Sequence, residues 1–356
     1  MSSRPGVMLD PWSPPGKHVW DFWFARRGPE LHAFYLQADR AACVGDSLRR
    51  HDLASIGHAV DAGQGWEEIG PEPALSPRLA PAWDDLSLWT GSILAHAPNG
   101  PYTLFYTGRS GGDEPVQTPR GPQRPQAIGC AISQDLREWT RSPGSLHGPS
   151  IPNPGPARGF DGAAWRDPWL LKGEDGLYLA FISTRLHSDA GMADDAGGAI
   201  ATVASSDLEH WGPPRVFVRS DDFHQLEVPQ VFWRPIAGGK RCYLLFCAQE
   251  SDCSQKRRSR MPASECRTGT YVMASDLLPL GYSGLPPMRE PARLLAAGLY
   301  AGKLLDPEVS GPARFFGFPW ADAQGRFLGG LAGPLAARFD QTGDVSLEGK
   351  AEAWPA

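Results

Sequence analysis

Residues 131–139 have the sequence Ala131-Ile132-Ser133-Gln134-Asp135-Leu136-Arg137-Glu138-Trp139, and the core of this stretch recurs along the chain. The shared pattern is a Ser-x-Asp-Leu run that follows small residues and leads to a Trp three positions later. A second copy ends in Trp211, a degenerate copy ends in Trp66, and a further copy at 274–277 lacks the Trp. The copies follow one another at nearly equal intervals of roughly 70 residues, and a fixed interval indicates an architecture built from repeated units.

Each copy is preceded by a short apolar run with turn residues at its ends. The runs are rich in aromatic or β-branched residues and occupy 31–36, 102–107, 177–182 and 242–246. Such runs predict strands that are buried on both faces. Units of about 70 residues with several short strands stack radially as propeller blades. We therefore predict an all-β fold, a five-bladed β-propeller with its catalytic site in the central funnel. Residues 1–356 would form one domain, and a pair of β-sandwiches is the alternative.

The composition agrees with a turn-rich β protein. The 356 residues include 41 Gly and 35 Pro, about a fifth of the chain, against roughly 12% for the pair in average proteins. This content argues against a helical bundle, and no segment predicts a helix longer than two turns. The chain is 41% hydrophobic and has 13 Trp, which suffices for a large core and argues against disorder.

The net charge and the hydropathy of the chain limit which partners and which cellular location we expect. The net charge of −6 argues against a nucleic-acid binder, which needs a basic field to attract phosphates. No apolar run is as long as a membrane-spanning helix requires, so no membrane span is predicted. Residues 1–17 contain four Pro and lack the apolar core of a secretory signal, which favours a cytoplasmic protein. The oligomeric state stays open.

The six cysteines are expected to be reduced thiols in that compartment. The last four, Cys242, Cys247, Cys253 and Cys266, do not form the paired C-x2-C spacing of a zinc site. Cys242 and Cys247 lie in an apolar run, which is typical of buried small hydrophobic residues. We predict no metal site and no cofactor.

Three acidic residues interrupt apolar or aromatic runs that each open a blade. Asp21 lies within 18–24, Asp167 within 165–171 and Glu227 within 225–232. An acid in such surroundings is costly unless it is paired or takes part in chemistry. A salt bridge to Arg166 could explain Asp167 alone. Three acids at equivalent places in different blades are instead expected to meet at the mouth of the central channel.

Two converging carboxylates suit retaining glycoside hydrolysis. One carboxylate attacks as an ionised nucleophile, and another residue protonates the leaving oxygen. A crowded apolar site can hold the two groups in these different protonation states. Trp and Phe beside the acids also suit the C–H faces of a sugar. The sequence thus predicts a small carbohydrate as substrate.

At this point the chain resembles a known group, the five-bladed propeller glycosidases that act on fructosides. These are the invertases and levansucrases of glycoside hydrolase families 32 and 68. The resemblance covers most of the chain, with motifs in the same order at 19–23, 31–37, 57–59, 89–93, 105–108, 166–168, 227 and 299–303. The run Val19-Trp20-Asp21-Phe22-Trp23 is nearer to the Trp-Asp-Ser-Trp of levansucrases than to the Asn-Asp-Pro-Asn of invertases.

The resemblance implies a role for each matching residue. It implies that Asp21 is the nucleophile, that Glu227 is the acid/base, and that Asp167 stabilises the transition state. It also implies that sugar-contacting side chains are Trp20, Trp23, Gln37, Trp89, Ser92, Arg166 and Tyr300. The implied reaction is hydrolysis of a β-fructofuranoside such as sucrose or sucrose phosphate, or transfer of its fructosyl group.

Some positions depart from the family pattern. Val228 stands where invertases have Cys and levansucrases have Arg, and Trp20 stands where invertases have Asn. These departures leave the substrate open, so an arabinofuranoside or another glycoside, or a non-catalytic carbohydrate-binding propeller, stays an alternative. Invertases carry a C-terminal β-sandwich, a further domain at least as large as two blades. We expect no such domain in this chain.

Three other segments are conspicuous in the sequence, and the first two allow two interpretations each. The basic run Lys256-Arg257-Arg258-Ser259-Arg260 is either a solvated loop or a rim that holds a phosphorylated sugar. Asp194 and Asp195 precede two glycines but lack the ligand spacing of a calcium loop, which favours a plain turn. The Pro-rich stretch 117–126 is expected to be a stiff loop that could line the pocket mouth.

Overall fold

Five four-stranded sheets account for nearly all regular structure of the protein. The computed structural model describes residues 11–61, 63, 65–187 and 193–350. Within these residues each sheet is antiparallel and follows chain order, and one extra hairpin is inserted between the second and third strands of the second sheet. The predicted all-β, five-bladed β-propeller is confirmed.

The strands are numbered along the chain, and the first strand of each blade lies innermost. Blade 1 consists of β1 (Lys17–Arg27), β2 (Glu30–Asp39), β3 (Ser55–Asp61) and β4 (Trp66–Glu68). Blade 2 consists of β5 (Ser87–Ala95), β6 (Tyr102–Arg109), the hairpin β7 (Val116–Thr118) and β8 (Gly121–Gln123), then β9 (Ala127–Ser133) and β10 (Thr140–Arg141). Blade 3 consists of β11 (Phe160–Lys172), β12 (Tyr178–Leu186), β13 (Gly198–Ser205) and β14 (Arg215–Arg219). Blade 4 consists of β15 (Glu227–Ile236), β16 (Gly239–Ala248), β17 (Gly269–Ala274) and β18 (Arg293–Ala297). Blade 5 consists of β19 (Leu299–Leu305), β20 (Ala313–Pro319), β21 (Ala332–Phe339) and β22 (Val345–Lys350).

The helices of the described residues are short, as the sequence predicts. The α-helices are α1 (Pro143–His147) and α2 (Gln255–Arg260). The 3₁₀ segments are Ala41–Cys43, Ser47–His51, Pro156–Arg158, Glu250–Asp252 and Ala263–Glu265.

The recurring Ser-x-Asp-Leu pattern forms the turn that leaves the third strand of a blade. Ser133 ends β9, and its hydroxyl oxygen accepts the N–H of Leu136 at 2.9 Å. Ser205 ends β13 and accepts the N–H of Leu208 at 2.8 Å. Both leucines have a positive φ, 66° and 67° respectively. A serine side chain that bonds its own backbone replaces the sheet bonds lost where the strand ends, which explains why the pattern recurs.

The tryptophans of the repeat join neighbouring blades. Trp139 packs edge-on against Phe34, in the second strand of blade 1, and Trp211 packs in the same way against Phe105, in the second strand of blade 2. Trp66 contacts Phe316 in the second strand of blade 5, which closes the circle. Aromatic edge contacts of this kind stabilise a packing interface beyond their buried area. The repeat therefore marks the blade-to-blade interface.

Each innermost strand carries a β-bulge. The register with the second strand shifts at Trp20/Phe22, Trp89/Gly91, Arg166/Trp169, Glu227/Gln230 and Tyr300/Lys303. Four bulges include a residue with positive φ: Asp21 (36°), Asp167 (56°), Val228 (52°) and Ala301 (49°). Bulges re-aim side chains and are common beside functional sites, and left-handed backbone at non-glycine residues costs free energy. The five bulges turn side chains of the innermost strands toward the same region at the centre of the propeller.

The five innermost strands surround the axis and contact one another in the order β1, β5, β11, β15, β19 and back to β1. The segment before β1 adds to the closure, because Trp12 exchanges two backbone hydrogen bonds with Leu331, beside β21. No helix of the described residues is long and apolar enough to cross a membrane.

Candidate active site

A cavity of about 600 Å³ opens where the bulges meet. All five innermost strands contribute to its wall, through Trp20 and Asp21, Trp89, Arg166 and Asp167, Glu227 and Val228, and Tyr300. The three acids singled out from the sequence therefore lie in one cavity, although they come from three different blades and are far apart in the chain.

Asp21 lies at the bulge of β1. The hydroxyl of Thr90, from the bulge of β5, donates a hydrogen bond to Asp21 Oδ2 at 2.8 Å. Burial raises the pKa of Asp21 to about 7, and the charge of Asp167 adds to this effect, whereas the Thr90 bond opposes it. Because a hydrogen bond to the charged form favours that form, Thr90 helps to keep Asp21 ionised near neutral pH.

Asp167 is held on both sides by groups that favour its charge. The backbone N–H of Val228 donates to Asp167 Oδ2 at 3.0 Å, and Arg166 Nε lies 3.5 Å from the same oxygen. The backbone N–H of Asp167 is bonded to the Thr107 hydroxyl at 2.9 Å. Burial nevertheless raises the pKa of Asp167 to about 6, and Glu227 adds to the rise while Arg166 opposes it.

Glu227 accepts one strong hydrogen bond on each carboxylate oxygen. Arg166 Nη2 donates to Oε1 at 2.7 Å, and the Tyr300 hydroxyl donates to Oε2 at 2.5 Å. Arg166 also donates to the side-chain oxygens of Gln126 at 3.2 Å and Gln225 at 3.0 Å. The position of the Glu227 carboxyl is therefore fixed by three blades.

Lys303 lies behind the carboxylates, at the bulge of β19. It is buried, and its ammonium donates to the carbonyls of Val228 and Pro229, both at 3.0 Å. Burial lowers its pKa to about 8, although the charges of Asp167 and Asp21 oppose this. Its positive charge, beneath the site, favours ionisation of both acids.

Aromatic side chains form another part of the wall. Trp20, Trp89, Phe318 and Trp320 line the cavity, and the Trp89 indole N–H is anchored by a bond to the His51 carbonyl at 2.8 Å. Carboxylates, an arginine fork and indole faces together are suited to a polyhydroxylated ligand, because the polar groups bond hydroxyls while the rings pack against C–H faces.

The predicted sugar-contacting residues divide into two groups. Trp20, Trp89, Arg166 and Tyr300 line the cavity together with the three acids. Trp23, Gln37 and Ser92 do not line it; they lie behind the wall and are almost fully buried. Trp23 stacks on Phe34, and the Ser92 hydroxyl accepts the N–H of Leu170 at 3.0 Å. Trp165, two residues before Asp167, packs against Phe160.

Strand alternation explains the position of Gln37. In the β1–β2 pairing Leu36 lies opposite Trp20, and Gln37 lies opposite Val19. Successive side chains of a strand point to opposite faces, and Leu36 is the residue that reaches the cavity.

Sequence reasoning missed several cavity residues. They come from the 3₁₀ segment before β3, from the ends of strands and from the loops of blades 4 and 5: Arg50, His51, Asp52, Arg109, Gln225, Asp252 and Trp320. Burial lowers the pKa of His51 to about 3, with neighbouring arginines adding to the shift, so its imidazole is neutral. No recurring pattern marks these residues, since they reach the site from several unrelated segments.

The basic run lies away from the cavity and is neutralised by acids. Arg257 is buried and pairs with Asp222 at 3.2 Å, and Arg260 pairs with the same carboxylate at 2.5 Å. Lys256 pairs with Asp221 at 2.7 Å. These ion pairs join α2 to the connection between β14 and β15, so neither a solvated loop nor a sugar-phosphate rim describes the run.

Of the other two segments, the first is a plain turn and the Pro-rich stretch lines the cavity, as expected. Asp195 lies in a turn, and its carboxylate accepts the N–H of Gln255 at 2.7 Å. The Pro-rich stretch forms the hairpin β7–β8 and reaches the cavity through Pro122, Gln123 and Arg124. All six cysteines are buried and free.

The comparisons with known proteins agree with the fold. No protein-family model matches the chain, and no curated protein matches it. Among solved structures, the Bombyx mori GH32 β-fructofuranosidase BmSUC1 matches with a TM-score of 0.64 and 17% identity, over 94% of this chain and 65% of that one. Sucrose-6-phosphate hydrolase from Lactobacillus gasseri matches with a TM-score of 0.64 and 16% identity, over 92% and 60%. Bacillus subtilis levansucrase matches with a TM-score of 0.62 and 13% identity, over 98% and 90%.

The chain thus spans just under two thirds of the length of the first two proteins and matches nearly the full length of the third. At these identities the likeness shows the fold alone. It is the same propeller fold as that of the fructoside-active glycosidases that the sequence motifs resemble.

Proposed function

We propose that the chain is a retaining glycoside hydrolase or fructosyltransferase that acts on a β-fructofuranoside. The observation that carries the proposal is the convergence of Asp21, Asp167 and Glu227, each on the bulge of a different innermost strand, in one cavity with indole walls. Placing three acids in one pocket costs free energy of folding, and retaining glycoside hydrolysis is a reaction that uses such acids.

In the proposed reaction Asp21 attacks the anomeric carbon, and a carboxylate–sugar ester forms as the glycosidic C–O bond breaks. Glu227 transfers its proton to the leaving oxygen in the same step. Glu227 then takes a proton from water or from an acceptor sugar hydroxyl, whose oxygen attacks the anomeric carbon and releases Asp21 as a carboxylate. Asp167 and Arg166 bond ring hydroxyls while positive charge develops on the sugar.

The contacts of the site support this division of roles. Among the described residues, Thr90 is the side chain that donates a hydrogen bond to Asp21, and Asp21 lines the cavity. Glu227 is aligned by Arg166 and Tyr300, which suits a group that must present the same oxygen first as an acid and later as a base. The solved structures with this fold include a fructofuranosidase, a sucrose-6-phosphate hydrolase and a levansucrase, which favours a fructoside over other glycosides.

A substrate panel tests the proposal directly. The purified protein is incubated with sucrose, sucrose phosphate, raffinose, levan, and aryl fructofuranosides and arabinofuranosides, and released sugars are followed by NMR. We expect cleavage of at least one fructoside, with the β-anomer or a β-linked transfer product appearing first. Cleavage of arabinofuranosides alone, or inversion at the anomeric carbon, would contradict the proposal.

Thr90→Val should move the acid limb of the pH–rate profile upward. Wild-type kcat/KM should fall as the pH drops through the Asp21 pKa of about 7, because the protonated acid cannot attack. A hydrogen bond to a charged group contributes about 1.5–3 kcal/mol, and one pKa unit corresponds to about 1.4 kcal/mol, so the limb should shift by about one to two units. The measurement is kcat/KM between pH 4 and 9.

Thr90→Ser serves as the matched control, because it keeps the hydroxyl and should restore the wild-type limb. If Thr90→Val lowers activity equally at every pH, the hydroxyl has no influence on the ionisation of Asp21.

A further inference from the structure

Arg50 is a buried cation in the cavity wall that the proposed reaction does not use. It belongs to the 3₁₀ helix Ser47–His51, lines the cavity and is 2% exposed. Its guanidinium lies over the Phe327 ring, 3.8 Å from the centroid, and 5.6 Å from the centroid of the Trp20 ring.

Arg50 lacks the acidic partner that Arg109, Arg120 and Arg166 have in the same cavity. Arg109 pairs with Asp52 at 2.7 Å, and Arg120 pairs with Asp252 at 2.6 Å. Among the described residues, no carboxylate lies within ion-pair distance of Arg50. Its Nη1 donates to the Ser47 carbonyl at 2.6 Å, and its Nε is buried without a hydrogen-bond partner.

Such a guanidinium is costly to bury. Its desolvation lowers the pKa of Arg50 to about 10, and the negative charge of Asp21 opposes the shift. Contact with Phe327 and Trp20 offsets part of the cost through cation–π attraction. The Nη2 of Arg50 makes no hydrogen bond with a described residue and is not among the enclosed polar atoms, and a guanidinium N–H left in this way is suited to bind a planar or tetrahedral oxyanion.

The charge balance of the cavity favours an anionic ligand. Five arginines and five carboxylates line it. In the proposed reaction Glu227 carries a proton and Asp21 is ionised when the substrate binds, so five cations face four anions in the wall. A positive surplus then remains in the wall.

We propose that Arg50 binds an oxyanion, phosphate or carboxylate, carried by the glycoside that is seated against Asp21. The preferred substrate is then an anionic furanoside and not a neutral one. This inference rests on the proposed function and assigns its substrate class. It places the anion site in the cavity, beside Trp20, and not on the basic run of α2, whose cations are already paired.

The test compares Arg50→Gln with Arg49→Gln. Arg49 is the exposed neighbour in the same helix, so its variant removes the same charge away from the cavity. The kcat/KM values are measured for sucrose, for sucrose phosphate and for a fructoside oxidised to a carboxylate, which separates the two sources of the oxyanion. For wild type and Arg49→Gln we expect one anionic substrate to be preferred over sucrose by about 10–100-fold, the effect of one charged pair of about 1.4–2.8 kcal/mol.

In Arg50→Gln this preference should collapse, mainly through KM, and Arg50→Lys should restore part of it. An equal loss on neutral and anionic substrates would make Arg50 a positioning residue for Asp21 and overturn the inference. The inference would also be overturned if the wild-type protein showed no preference for an anionic substrate over sucrose.

A binding measurement separates this inference from the proposed function. Calorimetric titration with inorganic phosphate should give binding to the wild type and to Arg49→Gln, and none to a folded Arg50→Gln. If phosphate binds in this way and no fructoside is cleaved, the proposed function fails and the anion site stands. If fructosides are cleaved and phosphate binds equally to all variants, the anion site fails and the function stands.

Discussion

Asp21→Asn should abolish turnover of every glycoside that the wild type cleaves and leave the propeller folded. The amide cannot form the ester with the anomeric carbon, and loss of a nucleophile typically lowers kcat on the order of 10⁴–10⁶-fold. The substitution keeps the shape of the side chain, and the amide oxygen can still accept the hydrogen bond of Thr90. The measurement is kcat on the best substrate of the panel, together with a circular dichroism spectrum.

The same variant should be more stable than the wild type at alkaline pH. The folded-state pKa of Asp21, about 7, lies above its ordinary value of 3.8, so the folded protein binds a proton between these values that the unfolded chain has released. Wild-type stability therefore falls as the pH rises through this window. Asn has no charge to bury, and the gain should reach about 1–4 kcal/mol at pH 8 and vanish near pH 4. Thermal unfolding of both proteins at pH 4, 6 and 8 measures the difference.

Asp52→Asn is the control for both effects. Asp52 lines the same cavity, but its exposed carboxylate pairs with Arg109, so its removal should leave kcat within about tenfold and bring no gain in stability at pH 8. If Asp21→Asn still cleaves the true substrate at more than about a hundredth of the wild-type rate, Asp21 is not the nucleophile. A gain in stability that does not change with pH would mean that buried charge is not its cause.

The blade repeat could be predicted from the sequence because it is local. A turn of the Ser-x-Asp-Leu type bonds within itself, and its Trp meets the second strand of the preceding blade, as Trp139 meets Phe34. The same chemistry must therefore reappear at each interface. The three acids were visible for a similar reason, since each stands out from an apolar strand of known position in the blade.

The remaining wall of the cavity is set by long-range geometry. Whether Leu36 or Gln37 reaches the ligand depends on the register with β1, and a shift of one residue reverses the faces of a strand. Arg50 and Trp320 come from loops whose paths depend on neighbouring blades. The cations of α2 were the most conspicuous in the sequence, yet their acidic partners lie elsewhere in the chain, and only the fold brings the two together.

Glu227→Gln should produce a defect that depends on the leaving group. Without the acid, sucrose and other alkyl glycosides lose protonation of the leaving oxygen, and kcat/KM should fall by about 10²–10⁴-fold. An aryl fructoside with a nitrophenolate leaving group needs no proton in that step, so its first turnover should be nearly as fast as in the wild type. Stopped-flow measurement should then show a burst of nitrophenolate followed by slow turnover, because the base of the second step is also missing.

The environment of Glu227 makes this variant interpretable. The amide oxygen of Gln can accept from Arg166, and its NH₂ group can donate to the Tyr300 hydroxyl, so both anchors of the carboxylate are kept in altered form. Glu250→Gln, an exposed acid of the same blade, is the control and should match the wild type on both substrates. Addition of azide should speed the slow phase, since a strong nucleophile needs no base to attack the ester of Asp21. An equal loss on sucrose and on the aryl fructoside, without a burst, would show that Glu227 does not protonate the leaving group and would move the acid/base role to another carboxyl of the cavity.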